Sequence, residues 1–127
     1  MSYGDFLAAV RDRGGYDPDE AQRVTEAVIT TLGERLAPEP AGHLADQLPA
    51  PLAEKINDAE AAPHTWGVRE FVSRVADATG ADEQAAEGHA RAVLSTLADQ
   101  VTGGETNKLI SQLPSAYAEL FGHPELA

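Results

Sequence analysis

The chain has 127 residues, a formal net charge of −12 from 21 acidic and 9 basic residues, and no cysteine. That length suits one domain with a real core; the negative field disfavours nucleic acid and anionic membranes as direct partners; and the missing thiols exclude disulfides and thiolate metal sites. With 43% hydrophobic but only 6% aromatic residues, the core must come mostly from Leu, Val and Ala, which let helices approach closely and do not favour isolated strands.

Ser2 opens the first helix, with Asp5 three residues on in a capping-box-like start. Phe6, Leu7 and Val10 supply its apolar stripe, and Gly14-Gly15 stops it, because glycine takes the left-handed cap cheaply. Asp17-Pro18-Asp19-Glu20 is the clearest helix start in the chain. Asp17 caps, Pro18 fits the first position and Glu20 is placed to reach back. Ala21, Val24, Val28, Leu32 and Leu36 then recur every three or four residues, so the helix is expected to run to about Leu36. Pro38 and Pro40 forbid its continuation.

A short third helix is expected from Pro40, carrying Leu44 and ending near Gln47, since Leu48 precedes Pro49. Pro49 begins a fourth with Leu52 and Ile56. A link is expected near 57–65. In the second half, Trp66, Val68, Phe71, Val72 and Val75 form a helix capped by Thr65 and stopped at Gly80. Asp82 caps the next, with Ala86, His89, Ala90, Val93, Leu97 and Val101 on its stripe, and Gly103-Gly104 breaks it. Leu109, Ile110 and Leu113 make a short helix, Pro114 starts the last, and the tail from Gly122 to Ala127 frays.

The second half is the first written again. Leu44-Ala45-Asp46-Gln47-Leu48-Pro49 returns as Leu109-Ile110-Ser111-Gln112-Leu113-Pro114, a shift of 65 (109 − 44). The same shift carries Phe6 to Phe71, Val10 to Val75, Gly15 to Gly80, Asp17 to Asp82, Ala27-Val28 to Ala92-Val93 and Thr31-Leu32 to Thr96-Leu97. A repeated unit buries its apolar face on its neighbour. The fold expected is all-α: a single domain of about eight helices over 1–127, in which two pseudo-symmetric four-helix repeats, 1–60 and 66–122, share one core.

These residues carry a resemblance. Tyr3-Gly4-Asp5-Phe6-Leu7 with Val10 and Arg13, Glu34-Arg35-Leu36, the two Gln-Leu-Pro motifs, Phe71-Val72-Ser73-Arg74-Val75, His89-Ala90-Arg91-Ala92-Val93-Leu94, and Tyr117 with Leu120-Phe121 resemble the uncharacterised bacterial family catalogued as domain of unknown function 2267. The resemblance implies an all-helical bacterial cytoplasmic protein and implies no reaction. The halves depart from one another where Arg91 of the second stands opposite Glu26 of the first.

Among polar residues, Gln47 and Gln112 precede Leu48-Pro49 and Leu113-Pro114. Their expected role is structural, satisfying carbonyls left open where proline interrupts the helix. His89 lies on an apolar stripe and is expected to be hydrogen-bonded within the core. Arg91 lies two residues away and points elsewhere. Arg74 and Arg91 are expected to pair with surface acids. Trp66, whose counterpart is Met1, is expected to cover the seam between halves; an exposed Trp66 would instead be an anchor for a partner. Arg74, His89, Arg91 and Trp66 are the candidate ligand- or partner-binding residues.

Glu39 with His43, and Glu119 with His123, lack the ligand set of a metal site, so no metal and no cofactor are expected. No nucleophile elbow, phosphate-binding loop or dinucleotide fingerprint occurs. The expected function is therefore non-enzymatic: a helical protein-interaction or regulatory, stress-associated accessory protein. Its surface is a groove between halves or an acidic face meeting a basic protein. The alternative is a small-ligand-binding protein or enzyme with a site between the repeats. An acidic decoy for a nucleic-acid-binding protein is a third reading, and it requires carboxylates in rows. No membrane-spanning stretch and no leader pattern are read, so a cytoplasmic monomer or homodimer is expected.

Overall fold

Ser2 caps the first helix through its hydroxyl, which accepts from the Asp5 N–H, while the Asp5 carboxylate accepts from the Ser2 N–H. This reciprocal box starts α1, Tyr3–Gly14. Gly15 ends it at φ 69°, a left-handed conformation that only glycine reaches without strain. Asp17 then caps α2, Pro18–Arg35, by accepting from the Glu20 N–H.

In the computed structural model, residues 2–59 and 65–122 are described. The remaining helices are α3 Pro38–Ala45, α4 Ala50–Asp58, α5 Val68–Thr79, α6 Glu83–Gln100, α7 Gly103–Ser111 and α8 Tyr117–Leu120. Among the described residues there is no strand. Helices α1 and α5 each have 12 residues, and α2 and α6 each have 18. Asp82 caps α6 as Asp17 caps α2, accepting from the Ala85 N–H, and Gly80 ends α5 at φ 72° as Gly15 ends α1.

The core is one continuous cluster. Phe6, Val10, Val28, Ile29 and Leu32 meet Phe71, Val75, Val93, Leu94 and Leu97, all at 0% exposure. Each such side chain contributes roughly 1.5–3 kcal/mol by leaving water. The long helices α2 and α6 pack on each other. Helix α1 lies against both of them, and so does α5; α4 covers α2, α8 covers α6, and α3 touches α7. Gly33 lets α4 come close to α2, since a Cβ there would lie 2.9 Å from the Ala59 Cβ.

Several boundaries differ from the sequence expectation. Helix α3 begins at Pro38 rather than Pro40, because the first helical position tolerates proline, and it ends at Ala45. Asp46–Leu48 form a turn. Helix α4 continues through Asn57 and Asp58, so the link starts later than expected. Thr65 caps nothing: Gly67 is the N-cap of α5, and Trp66 lies outside the helix. Gly103 and Gly104 do not break α6, which already ends at Gln100. They open α7, where Thr102 caps by accepting from the Glu105 N–H and removes the need for a better helix former. Leu113 is buried beyond the end of α7, and α8 is a single turn starting at Tyr117. Most of the expected link, the tail from 123 onward, and the histidine of the Glu119–His123 pair lie outside the described residues.

Candidate groove between the two halves

The outward face of α2 and the end of α5 do not close on one another. Between them runs an open groove of about 960 Å³. Its walls come from α2 (Glu20, Arg23, Val24, Ala27, Glu34), from the last turns of α5 (Arg74, Asp77, Ala78), and from the α5–α6 turn with the start of α6 (Ala81, Ala85, His89). The groove is open because its floor is made of small side chains. It is acidic: Glu20, Glu26, Glu34 and Asp77 line it against only Arg23 and Arg74. The three glutamates are half-buried and Asp77 is exposed.

His89 stands at one edge. It is half-buried rather than in the core, because Tyr16 from the α1–α2 turn covers it. The Tyr16 Oη and His89 Nδ1 are 2.5 Å apart, and the rings meet edge-on with centroids 5.3 Å apart. Burial lowers the His89 pKa from its ordinary 6.5; Glu20 opposes that shift and Arg23 reinforces it. Burial, with help from Glu20, raises the Tyr16 pKa above its ordinary 10.0. Both shifts favour a neutral pair. In the tautomer protonated at Nε2, the Tyr16 hydroxyl donates to His89 Nδ1.

Arg74 reaches the groove from α5. It pairs with Glu70 at 3.1 Å, one turn away, and its guanidinium lies over the Trp66 ring, 4.4 Å from the centroid. Trp66 is half-buried, between the two expectations of seam cover and exposed anchor. Its carbonyl ties the second half to the first: it accepts from Arg35 Nε at 2.9 Å and from the Tyr117 hydroxyl at 2.8 Å. Tyr117 is fully buried, edge-on to Phe71, and burial raises its pKa.

Arg91 is not part of this groove. It is exposed on α6, pairs with Glu87 at 3.3 Å and Glu119 at 3.4 Å, and lines a separate pocket of about 410 Å³ with Glu83 and Leu120. Exposed pairs of this kind are worth about 0–1 kcal/mol each.

The two Gln-Leu-Pro motifs do not behave alike. The Gln47 side-chain oxygen accepts from the Thr102 N–H at 3.0 Å, across the two halves. It satisfies an open donor ahead of α7 and not the carbonyls expected from the proline break. Gln112 is exposed and makes no matching bond among the described residues. Leu48 and Pro49 are half-buried, Leu113 is buried and Pro114 exposed. Among the described residues no group of three or more His, Asp or Glu is arranged to hold a metal ion, and no helix is long and apolar enough to cross a membrane.

The structure thus brings Arg74 and His89 to one groove, with Trp66 beside it through Arg74, and sends Arg91 elsewhere. The groove carboxylates were not legible as a set, because they come from α2 and α5, far apart in the chain. A signal did exist: comparing the halves at the 65-residue shift exposes Ala78 opposite Arg13 and Ala81 opposite Tyr16. Residues 3–120 match the family model DUF2267, described as an uncharacterized conserved protein. No curated protein matches the chain.

Proposed function

We propose, since the chain belongs to the DUF2267 family of uncharacterized conserved proteins, that its function lies in binding and not in catalysis: it is a helical interaction module that receives a basic segment of another protein. The observation that carries this reading is the open groove between α2 and α5, in which four carboxylates face two guanidiniums. A surplus of negative charge in a concave site raises the local concentration of cationic groups and speeds their arrival. A regulatory or stress-associated accessory role in a bacterial cytoplasm is compatible with such a module.

We further infer that the body is a single domain of two tandem four-helix repeats related by a pseudo-two-fold axis. Equal lengths of α1 and α5 and of α2 and α6, and the reciprocal packing of α1 on α6 and α5 on α2, support it.

The test is a titration with a lysine- and arginine-rich peptide at low salt, read by the fluorescence of Trp66, the chain's only tryptophan. Arg74 touches both the ring and the groove, so an occupant disturbs the reporter. A saturable change is expected, weakening as salt rises past ~0.1 M, where screening acts within about 10 Å. Glu34→Lys with Asp77→Lys should abolish it. Both sites lie near helix C-termini, where lysine suits the dipole, so folding is preserved. Exposed Glu54→Lys on α4 should leave it intact. A wild-type chain that ignores the peptide would sink the proposal.

A small-ligand or enzymatic site between the repeats has Arg74 and His89 in its favour. Its acids are only half-buried or exposed, which favours a solvated charged partner over a sequestered substrate. Turnover that depends on His89 would reverse the preference.

A further inference from the structure

The α1–α2 and α5–α6 corners have the same backbone plan. Both turn at a left-handed glycine, Gly15 and Gly80, and both restart at a capping aspartate, Asp17 and Asp82. What they carry differs. At the first corner, Arg13 forms an ion pair with Asp99 of α6, and Tyr16 packs on and bonds to His89 of α6. Shifted by 65 residues, Arg13 becomes Ala78 and Tyr16 becomes Ala81, while Asp99 corresponds to Glu34 and His89 to Val24. All four of those residues, Ala78, Ala81, Glu34 and Val24, line the open groove. The groove is thus the place where the matching guanidinium and phenol are missing.

The second corner is also not built to supply its own ring. Tyr16 lies back over Gly14, where a Cβ would come within 2.1 Å of the ring. The matching residue is Thr79, which has a Cβ and whose hydroxyl donates to the Val75 carbonyl. The second corner therefore supplies no ring of its own, and a partner's ring would lie outside the Thr79 Cβ, not over it as Tyr16 lies over Gly14.

We propose that the groove's occupant is a protein segment that presents an arginine to Glu34 and an aromatic ring to the partly exposed Ala27 and Ala81 beside buried Val24, the two groups spaced three residues apart as Arg13 and Tyr16 are. This deepens the interaction-module reading and rests on it. Arginine fits because its planar fork can make two bonds to one carboxylate, which lysine cannot. An aromatic ring fits because it covers an apolar floor with little entropy to lose. The excess of groove carboxylates over guanidiniums sets the sign of the rest of the segment.

The experiment uses the full chain and three peptides of equal length and net charge: one with Arg-x-x-Tyr, one with Lys-x-x-Tyr, one with Arg-x-x-Ala. Calorimetric titration should show the first binding about tenfold tighter than either of the others, a difference of ~1.4 kcal/mol. Glu34→Gln should erase the preference for arginine over lysine. The triple variant Ala78→Arg, Thr79→Gly, Ala81→Tyr, which rebuilds the first corner at the second, should lose binding while keeping the helical circular dichroism of the parent. Equal affinity for the three peptides overturns the inference and leaves the basic-segment reading standing. No binding by any of them, or by polylysine, overturns both. Spermine binding as tightly as the first peptide overturns the inference, as does a homodimer that the triple variant dissolves. Should the triple variant fail to fold, the peptide series on the wild-type chain decides alone.

Discussion

Where the α1–α2 turn meets α6, Tyr16 and Arg13 reach across and seal the surface onto His89 and Asp99. Where the α5–α6 turn meets α2, Ala81 and Ala78 stop short, and about 960 Å³ stays open. The helices that frame the two places have the same lengths, and the two turns the same glycine and the same capping aspartate. Two corners with the same glycine and the same capping aspartate therefore carry different surfaces, and the larger side chains Arg13 and Tyr16 stand at one where Ala78 and Ala81 stand at the other. One corner contributes to holding the halves together. The other leaves the surface open.

The comparison can be broken most severely in the core. Phe6 and Phe71 are both fully buried and correspond to one another. Replacing either with alanine should cost about 3–5 kcal/mol in urea denaturation. A large cost at one and a small cost at the other would mean the two halves are not equivalent beneath their surfaces.

The next effect tests the sealed corner. Gly14→Ala should destabilise by about 1–3 kcal/mol, since the new Cβ displaces the Tyr16 ring. In a Tyr16→Ala background the sign should reverse, to a gain of roughly 0.5–1 kcal/mol, because alanine is the better helix residue. Thr79→Ala at the open corner should stay within about 0.5 kcal/mol of the parent. A Gly14→Ala cost that survives removal of the Tyr16 ring would mean the ring is not what demands the glycine.

A smaller difference sits inside the long helices. Thr25 is fully buried and its hydroxyl has no partner among the described residues, whereas its counterpart is Ala90. Thr25→Val keeps the shape and removes the unsatisfied group, so thermal unfolding should move upward, by about 1 kcal/mol in stability. A loss instead would reveal a hydrogen bond to that hydroxyl.

The smallest effect is the pH dependence of the Tyr16–His89 pair. Burial lowers the folded pKa of His89 below 6.5, so the unfolded chain takes up its proton first. The pair's contribution is complete above pH 6.5 and is lost as pH falls through the depressed value. Melting temperatures of the parent and of His89→Gln, measured from pH 8 to pH 5, should converge toward the acid end. Val24 holds the equivalent place at the open corner and adds no such slope. Parallel curves would show that His89 does not sense its burial.

Much of this was legible in the chain. Gly15, Asp17-Pro18, Gly80 and Asp82 mark helix ends by local chemistry alone, and the structure keeps them. Gly103-Gly104 misled, because glycine reads as a stop while Thr102 turns the same stretch into a start. Trp66 misled because an apolar residue in register with a stripe looks helical, although here it lies ahead of the helix, tied by its carbonyl to Arg35 and Tyr117. His89 and Arg74 stood out by residue type. Glu20, Glu34 and Asp77 did not, since lone acids on amphipathic helices look like ordinary solvated faces.

Sequence alone determined the helices, their repeat and their apolar faces, because capping, proline geometry and three-to-four-residue spacing act within a few residues. Only the tertiary structure decided that α5 lies against α2 and α1 against α6. That pairing puts Tyr16 on His89 and leaves the groove beside buried Val24 open. Contacts between residues 73 apart depend on how two faces meet, and apolar burial, which drives the meeting, carries no direction of its own.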